Sequence, residues 1–431
     1  MKKYSKFAMM FFAGALALGF TSCSDDDDPT DTENTISTAE MQTVAQTYID
    51  DVVYPTYNAL KTNADELASA CATLYSNAKA GTMTQAHIDA ACEAFKNARR
   101  EWERSEAFLY GAATDNEIDP HIDSWPLDQD QLVQALNDAD VIKGINGENP
   151  AKFVYEENGD FDSVLGFHGL EFVLFRDGQN RTVEALKANE TFEGMTSVTG
   201  LNELAFAAAV SADIQNMTTL LAYGWTENST YGSWLTTNAK WTLDGTSYAG
   251  LSSQHIGYGS YLLAATTSTG YFSTWQETME NILVGGCSNI CQEVYTQKLG
   301  QAYRVATNQG EDEDAGDYIE SPYSKRSFVD YQDNIYSIKN TLYGTRDINA
   351  TTPVTNSLMT IMTKYNYSGL SALQSALNSA ISALESAKNS GVAFVDNPGA
   401  TQVKTCIDAI NELDDQLNEA GKWFRNLSVT K

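Results

Sequence analysis

The sequence predicts an all-α protein in two helical-bundle halves, and three observations carry that prediction. Apolar residues recur at intervals of three and four along most of the 431-residue chain. Strand-like alternation is scarce, and the β-branched apolar windows are short. A stretch at 225–246, rich in Thr, Ser and Gly and carrying Trp225, Trp234 and Trp241, interrupts the periodicity and marks a boundary between halves at 37–225 and 226–431.

The chain opens with Lys2, Lys3 and Lys6 before an uncharged run from Phe7 to Phe20, then Thr21-Ser22-Cys23. A basic start, a short apolar centre and small residues before a cut define a secretory signal over 1–22, too short to span a bilayer stably. Its ending resembles the bacterial lipoprotein signal, which implies a lipid on Cys23. Residues 23–36, with the acidic run Asp25 to Asp28 and then Pro, Thr, Asp and Asn, read as a flexible tether. The expected location is therefore the cell envelope, lipid-anchored to the outer membrane on its periplasmic or surface face. The acidic run is either a surface-export signal of the kind some Gram-negative lipoproteins carry or a plain solvated spacer.

From Thr38 to about Asn77, Met41, Val44, Ala45, Tyr48, Ile49, Val52 and Val53 give a helical stripe that Pro55 should kink or divide. Gly81 marks the turn, and Thr84 can cap a second helix whose inner face is Ile88, Ala91, Cys92, Phe95, Ala98, Trp102, Ala107 and Phe108, ending at Gly111. Residues 112–128 hold Asp115, Glu117, Asp119, Asp123, Trp125 and Pro126 with no periodicity, and a loop of that length is more often functional than incidental. A short helix at 129–138 and a Gly/Asn-rich connection at 144–160 follow. Later helical patterns cover 201–223, 253–267, 273–308, 327–342, 368–389 and 400–427.

Between them lies Val164-Leu165-Gly166-Phe167-His168-Gly169-Leu170-Glu171-Phe172, apolar apart from one imidazole and one carboxylate. At three apart on a helix, His168 and Glu171 share a side, and burying both costs free energy unless something pairs with them. Gly166 and Gly169 admit a close backbone or ligand at a cost of about 1 kcal/mol each against Ala.

Composition narrows the function classes. With 57 acidic against 27 basic residues the formal net charge is −30, and no Lys/Arg cluster appears, which argues against nucleic acid as a partner. An acidic field favours cations and also serves solubility. Of six cysteines, Cys71 and Cys92 flank Gly81 at similar distances, so a disulfide across a helical hairpin is feasible. Cys287 and Cys291 have no second Cys/His pair nearby and read as small buried residues. Glu311 to Asp314 with Asp317 lacks EF-hand spacing and reads as a solvated loop.

Gly166-x-His168-x-x-Glu171 resembles the GxHxxE signature of the imelysin-like family, whose members are also described as insulin-cleaving membrane proteins or iron-regulated proteins. Trp102-x-x-x-Glu106-Ala107-Phe108 with Gly111, Asp123-x-Trp125-Pro126, and Glu320-Ser321-Pro322-Tyr323-Ser324 followed by Phe328-Val329-Asp330-Tyr331-x-x-Asn334 resemble further family motifs in order. The resemblance implies two helical bundles as a pseudo-repeat, a site where they meet, and a role in iron or haem uptake. It also brings a peptidase label.

A zincin-type peptidase needs two histidines a turn apart with a glutamate, and only His87, His121 and His255 accompany His168. Metal binding is better founded: His168 and Glu171 offer one nitrogen and one oxygen from a helix face, with Glu106 and Asp123 as expected third and fourth ligands. Such a set suits iron or another divalent cation, and haem stays open. Gly166, Gly169, Trp102, Trp125, Pro126, Asp330 and Asn334 are expected to line or support the site, with core packing the plainer alternative for the two tryptophans. The alternative for His168 itself is a closed polar network without metal. The expected function is a non-enzymatic envelope lipoprotein holding a cation, haem or an iron-bearing partner. The rivals are a metallopeptidase using the same pair and a module that binds another envelope protein.

Overall fold

Ser37 starts the first helix with a reciprocal capping box to Glu40, and almost everything after it is helical. In the computed structural model, residues 35–156, 164–191, 196–240, 250–268 and 270–430 are described; the expected signal, Cys23 and most of the expected tether lie outside them. Thr35 and Ile36, expected at the end of the tether, form strand β1 (Thr35–Ser37) with a fully buried Ile36, paired in parallel with β6 (Ser428–Thr430).

Helix α1 (Thr38–Thr47) passes through a π-helical segment, Tyr48–Val53, into α2 (Tyr54–Lys79). Pro55 neither breaks nor divides the element. It sits in the first turn of α2, where a missing N–H is harmless, and the wider segment before it absorbs the change of register, with Tyr54 N–H donating to the Ile49 carbonyl five residues back. Thr84 and His87 make the expected cap of α3 (Gln85–Glu103).

This helix stops well short of Gly111. Ser105 Oγ donates to the Trp102 carbonyl at 2.7 Å and Ala107 N–H donates to Ser337 Oγ at 3.0 Å, so the chain turns off into a 3-10 turn, Glu106–Phe108. The stretch at 112–128 is likewise less irregular than expected, containing helical turns at Ala112–Asp115 and α4 (Ile118–Ile122). The predicted helix near 129–138 is present as Gln129–Asn137, while the expected connection carries two more short helices, Ala139–Ile145 and Pro150–Glu156.

Helix α5 (Gly166–Leu174) is the central stretch, every residue of it buried, and it leads into a two-residue hairpin, β2 (Phe175–Arg176) with β3 (Gln179–Asn180). A second small ladder joins β4 (Asn189–Glu190) to β5 (Val198–Thr199), ahead of the long helix α6 (Gly200–Thr226). Further along come Tyr258–Leu263, α7 (Trp275–Glu280), π segments Asn281–Ser288 and Glu293–Lys298, α8 (Ser327–Tyr343), the unexpected Leu358–Lys364, α9 (Leu370–Lys388) and α10 (Thr401–Arg425).

The helices pack in two sets. Helix α2 lies against α3 and α6, and α5 joins them; α8, α9, α10 and the π segments form the other set. Helix α3 and the Glu106–Phe108 turn touch α8 and the Asn281–Ser288 segment, which joins the sets along a buried seam. Residues Asn34–Lys431 form one compact unit. No helix among the described residues is long and apolar enough to cross a membrane.

Cys71 and Cys92 are free and buried rather than bridged, as are Cys287 and Cys291. Cys92 Sγ turns instead toward the Leu174 carbonyl at 3.5 Å, and burial pushes the Cys71 thiol up to about 12.

Candidate functional site: a buried His–carboxylate–guanidinium centre

Glycine chemistry builds the site. Gly166 has φ +69°, and a Cβ there would collide with the Ile122 carbonyl; at Gly169 it would collide with the Val164 carbonyl. The motif glycines therefore serve close backbone approach, bringing α5 against the end of α4 and placing His168 beside Asp123. His168 Nε2 lies 3.0 Å from Asp123 Oδ1, and the Trp102 indole N–H donates to Asp123 Oδ2 at 2.7 Å.

Asp123 also accepts from Arg99, a residue the sequence reading missed. The fully buried Arg99 guanidinium fans out from α3 to Asp123, Glu320 and Glu103 (2.5 Å), with Asp330 at 3.9 Å. A second buried cation, Lys298, closes the Glu293–Lys298 π segment and faces Glu320 (3.3 Å), Glu106 (3.6 Å) and Glu293 (3.7 Å). π-Helical segments occur often at functional sites. Five buried carboxylates, Glu103, Glu106, Asp123, Glu320 and Asp330, thus face two buried cations, and a sixth, Glu171, stands beside His168.

Proton affinities follow this imbalance. Burial pushes the Glu103, Glu106 and Glu171 carboxyls up, with Arg99, Lys298 and His168 respectively offsetting it only in part. Burial acts on Asp123 too, but the Arg99 charge and the His168 contact override it and hold Asp123 well below the usual carboxylate range. Asp119, on α4, is driven up to about 7 by burial and by its neighbours Asp123 and Glu293.

The expected ligands are only partly brought together. Asp123 and His168 meet. Glu171 Oε1 accepts from Ser324 N–H (2.7 Å) and Oγ (2.6 Å), while its Oε2 has no hydrogen-bond partner and stands 4.0 Å from His168 Nδ1. Glu106 has left the Trp102 helix and groups with Glu103 and Asp123, separate from the trio Asp123, His168 and Glu320; within each group one donor atom per residue lies within 4.8 Å of the others.

Asp330 and Asn334 come in from α8: Ser321 Oγ donates to Asp330 Oδ2 at 2.5 Å, and Asn334 Nδ2 donates to Glu103 Oε2 at 2.5 Å. Trp102 is fully buried, a core residue that also fixes Asp123. Trp125 is half-buried and stacks on Tyr318 with ring centres 4.1 Å apart, and with Pro126 it lines a cleft of about 250 Å³ that reaches His168.

Sequence reasoning missed Arg99, Glu103, Lys298 and Glu320 as members of the site, Glu320 standing only within a family motif. The signal was present: Arg99 follows Phe95 by four and precedes Trp102 by three, and Lys298 follows Val294 by four, so both are charges on buried helix faces.

Fold and centre together define an all-helical protein with a buried, acid-rich histidine site on the seam between two helix sets. The chain belongs to the imelysin family, whose profile, placed under a peptidase heading, matches residues 53–418. It is 33% identical over 130 residues to iron-regulated protein A of Synechococcus elongatus, a match spanning 30% of each chain. A crystal structure of a candidate iron-regulated protein A precursor from Parabacteroides distasonis superposes with a TM-score of 0.72 at 25% identity, covering 92% of this chain and 98% of that one. An imelysin-like protein from Psychrobacter arcticum shares the fold at 15% identity, with a TM-score of 0.52 and coverage of 92% and 96%.

Proposed function

We propose that this protein is an exported, lipid-anchored envelope protein of iron acquisition that holds a cation at Asp123, His168 and Glu320 between two related helical halves. The observation that carries the reading is the donor trio itself, one nitrogen and two carboxylate oxygens within 4.8 Å of one another, inside a centre where buried carboxylates outnumber cations six to two. The 3.0 Å between His168 Nε2 and Asp123 Oδ1 suits an N–H···O bond and equally suits neighbouring ligands of an octahedral ion with bonds of about 2.1 Å. The unpartnered Glu171 Oε2 beside His168 is a further acceptor. An incoming cation would share Asp123 and Glu320 with Arg99, so it must draw on the carboxylate excess to offset the guanidinium charge. A carboxylate-rich, nitrogen-poor set matches iron better than copper.

The names of the iron-regulated relatives support the iron assignment. The small cleft beside His168 favours a bare or lightly ligated ion over haem, being below the range of about 300–1,000 Å³ usual for sites that bury a whole ligand. A binding role is preferred to peptide hydrolysis because two of the three other histidines serve elsewhere, His87 in the cap of α3 and His121 paired with Asp213.

Titrating metal-stripped protein anaerobically with Fe(II), and separately with Fe(III) and Zn(II), tests the reading by calorimetry. A saturable site weakened at least tenfold by His168→Gln and by Glu320→Gln is expected. Absence of saturable binding in the unmodified protein overturns it, and chelator-sensitive peptide cleavage abolished by Glu171→Gln would replace it with the metallopeptidase.

A further inference from the structure

We propose that the cleft over His168 is a receptor for a single cationic side chain, an arginine or lysine head presented by a partner polypeptide. At about 250 Å³ the cleft holds one side chain rather than a whole small molecule. Its walls are apolar and aromatic, with Trp125, Pro126, Ile319 and Tyr323 among them, while His168 lies at its inner end and Asp317 stands exposed at its margin. Among the described residues no Lys or Arg lines it.

Behind His168 stand Asp123 and Glu171, the latter with its Oε2 unpartnered and the residue only 1% exposed. An aromatic wall and a buried carboxylate oxygen behind it that has no hydrogen-bond partner are the two features that attract an organic cation, through the ring quadrupole and through charge. The molecule already uses this chemistry next door: the Arg176 guanidinium sits 3.7 Å from the Phe172 ring centre and 5.9 Å from that of Tyr323. A cationic partner also suits a chain of net charge −30. Guanidinium stacking on Trp125 would leave its N–H groups directed toward the carboxylates, which an apolar or anionic side chain cannot exploit.

The inference draws on the same carboxylate excess as the iron reading but not on a bound ion, and the test separates the two. Acetyl-Gly-Arg-Gly-amide is titrated against the whole folded protein, beside the citrulline peptide of equal shape and no charge. The arginine peptide should bind at least tenfold more tightly, and Trp125→Ala, which changes no charge, should remove at least tenfold of that affinity. Tyr318→Leu, which removes the ring stacked on Trp125, gives a second variant should the first fail to fold, with a loss of at least threefold expected. Equal binding of the two peptides, no saturable binding, or arginine binding unchanged in the cleft variants each overturns the proposal, the last by placing the peptide elsewhere on the acidic surface. Loss of Fe(II) binding with the peptide result intact would overturn the iron reading alone.

Discussion

Beside the β2–β3 hairpin, Arg176 and Arg181 face Glu190 and Glu203, two charges against two, with Arg181 bonded to Glu203 at 2.6 Å and to Glu190 at 2.8 Å. In the centre of Arg99, Lys298 and His168, six buried carboxylates stand against two cations. The hairpin network is partly open to solvent through Arg176 and Glu190 and leaves one buried carboxylate oxygen without a hydrogen bond, Glu203 Oε2, whereas the buried centre leaves four, on Glu103, Glu171, Glu320 and Asp330. In the balanced network the charges offset one another, two against two. The acid-rich one must take up protons or a cation to be comfortable, which is how a buried ion cluster becomes a binding site rather than a structural rivet.

Removing one arginine from each network gives the largest expected contrast. Arg99→Met and Arg181→Met should each destabilise by about 3–5 kcal/mol, because breaking a buried pair strands the partner charge. The pH dependence should differ. Arg99→Met removes the charge that offsets burial at Asp123 and Glu103, so its cost should fall clearly between pH 8 and pH 5 as these two carboxyls protonate. Arg181→Met leaves Arg176 beside the same two glutamates, so its cost should change less. Urea unfolding at the two pH values measures both, and an equally steep fall for Arg181→Met would break the comparison.

The two networks were not equally visible in the sequence. Helix α5 announced its centre because a histidine and a glutamate stood in an otherwise apolar segment, a local anomaly that needs no partner to be noticed. Periodicity likewise gave the all-α class and the course of α2, α3, α6, α8, α9 and α10. Arg99 stayed hidden because its partners Asp123, Glu320 and Asp330 lie 24 or more positions away, and the near one, Glu103, makes an i,i+4 pair of the kind common on exposed helix faces, so its burial could be read only from the helix face it occupies. The early end of α3 was invisible for a similar reason: Ser337, which takes the Ala107 N–H, is 230 residues distant. That end moved Glu106 from the expected ligand set to the neighbourhood of Lys298.

A smaller effect sharpens what acid excess means. Asp119 is held up to about 7 against an ordinary 3.8, with burial the main cause and Asp123 and Glu293 adding to it. A raised carboxyl contributes stability that is fully present below about pH 4 and is lost as pH rises through about 7. Asp119→Asn removes that loss, so in chelator-treated protein the variant should match the parent near pH 4 and exceed it by about 1–2 kcal/mol at pH 8, the figure being reduced for the residue's partial exposure. Added Fe(II) should narrow the gap at pH 8 by stabilising the ionised cluster. Denaturant midpoints along the pH series read this directly, and a variant less stable than the parent at pH 8 would mean that the centre holds no surplus negative charge.

The smallest effect comes from a pair with no surplus at all. His121 Nε2 meets Asp213 Oδ2 at 2.7 Å, one potential cation to one carboxylate, on the flank of α4 and α6. Burial pushes the imidazole down, but the Asp213 charge and hydrogen bond outweigh it, and the net shift is upward. The sign is that of a group gaining a partner: its stability is fully present below its ordinary value near 6.5 and disappears as pH rises through the higher folded value. His121→Gln should therefore lower the unfolding free energy by about 0.5–1 kcal/mol at pH 5.5 and by much less at pH 9, in the opposite direction to Asp119→Asn. Thermal unfolding at those two pH values decides it. A gap of equal size at pH 9 would mean that the imidazole acts through packing, against Tyr155 at 5.4 Å between ring centres, rather than through charge.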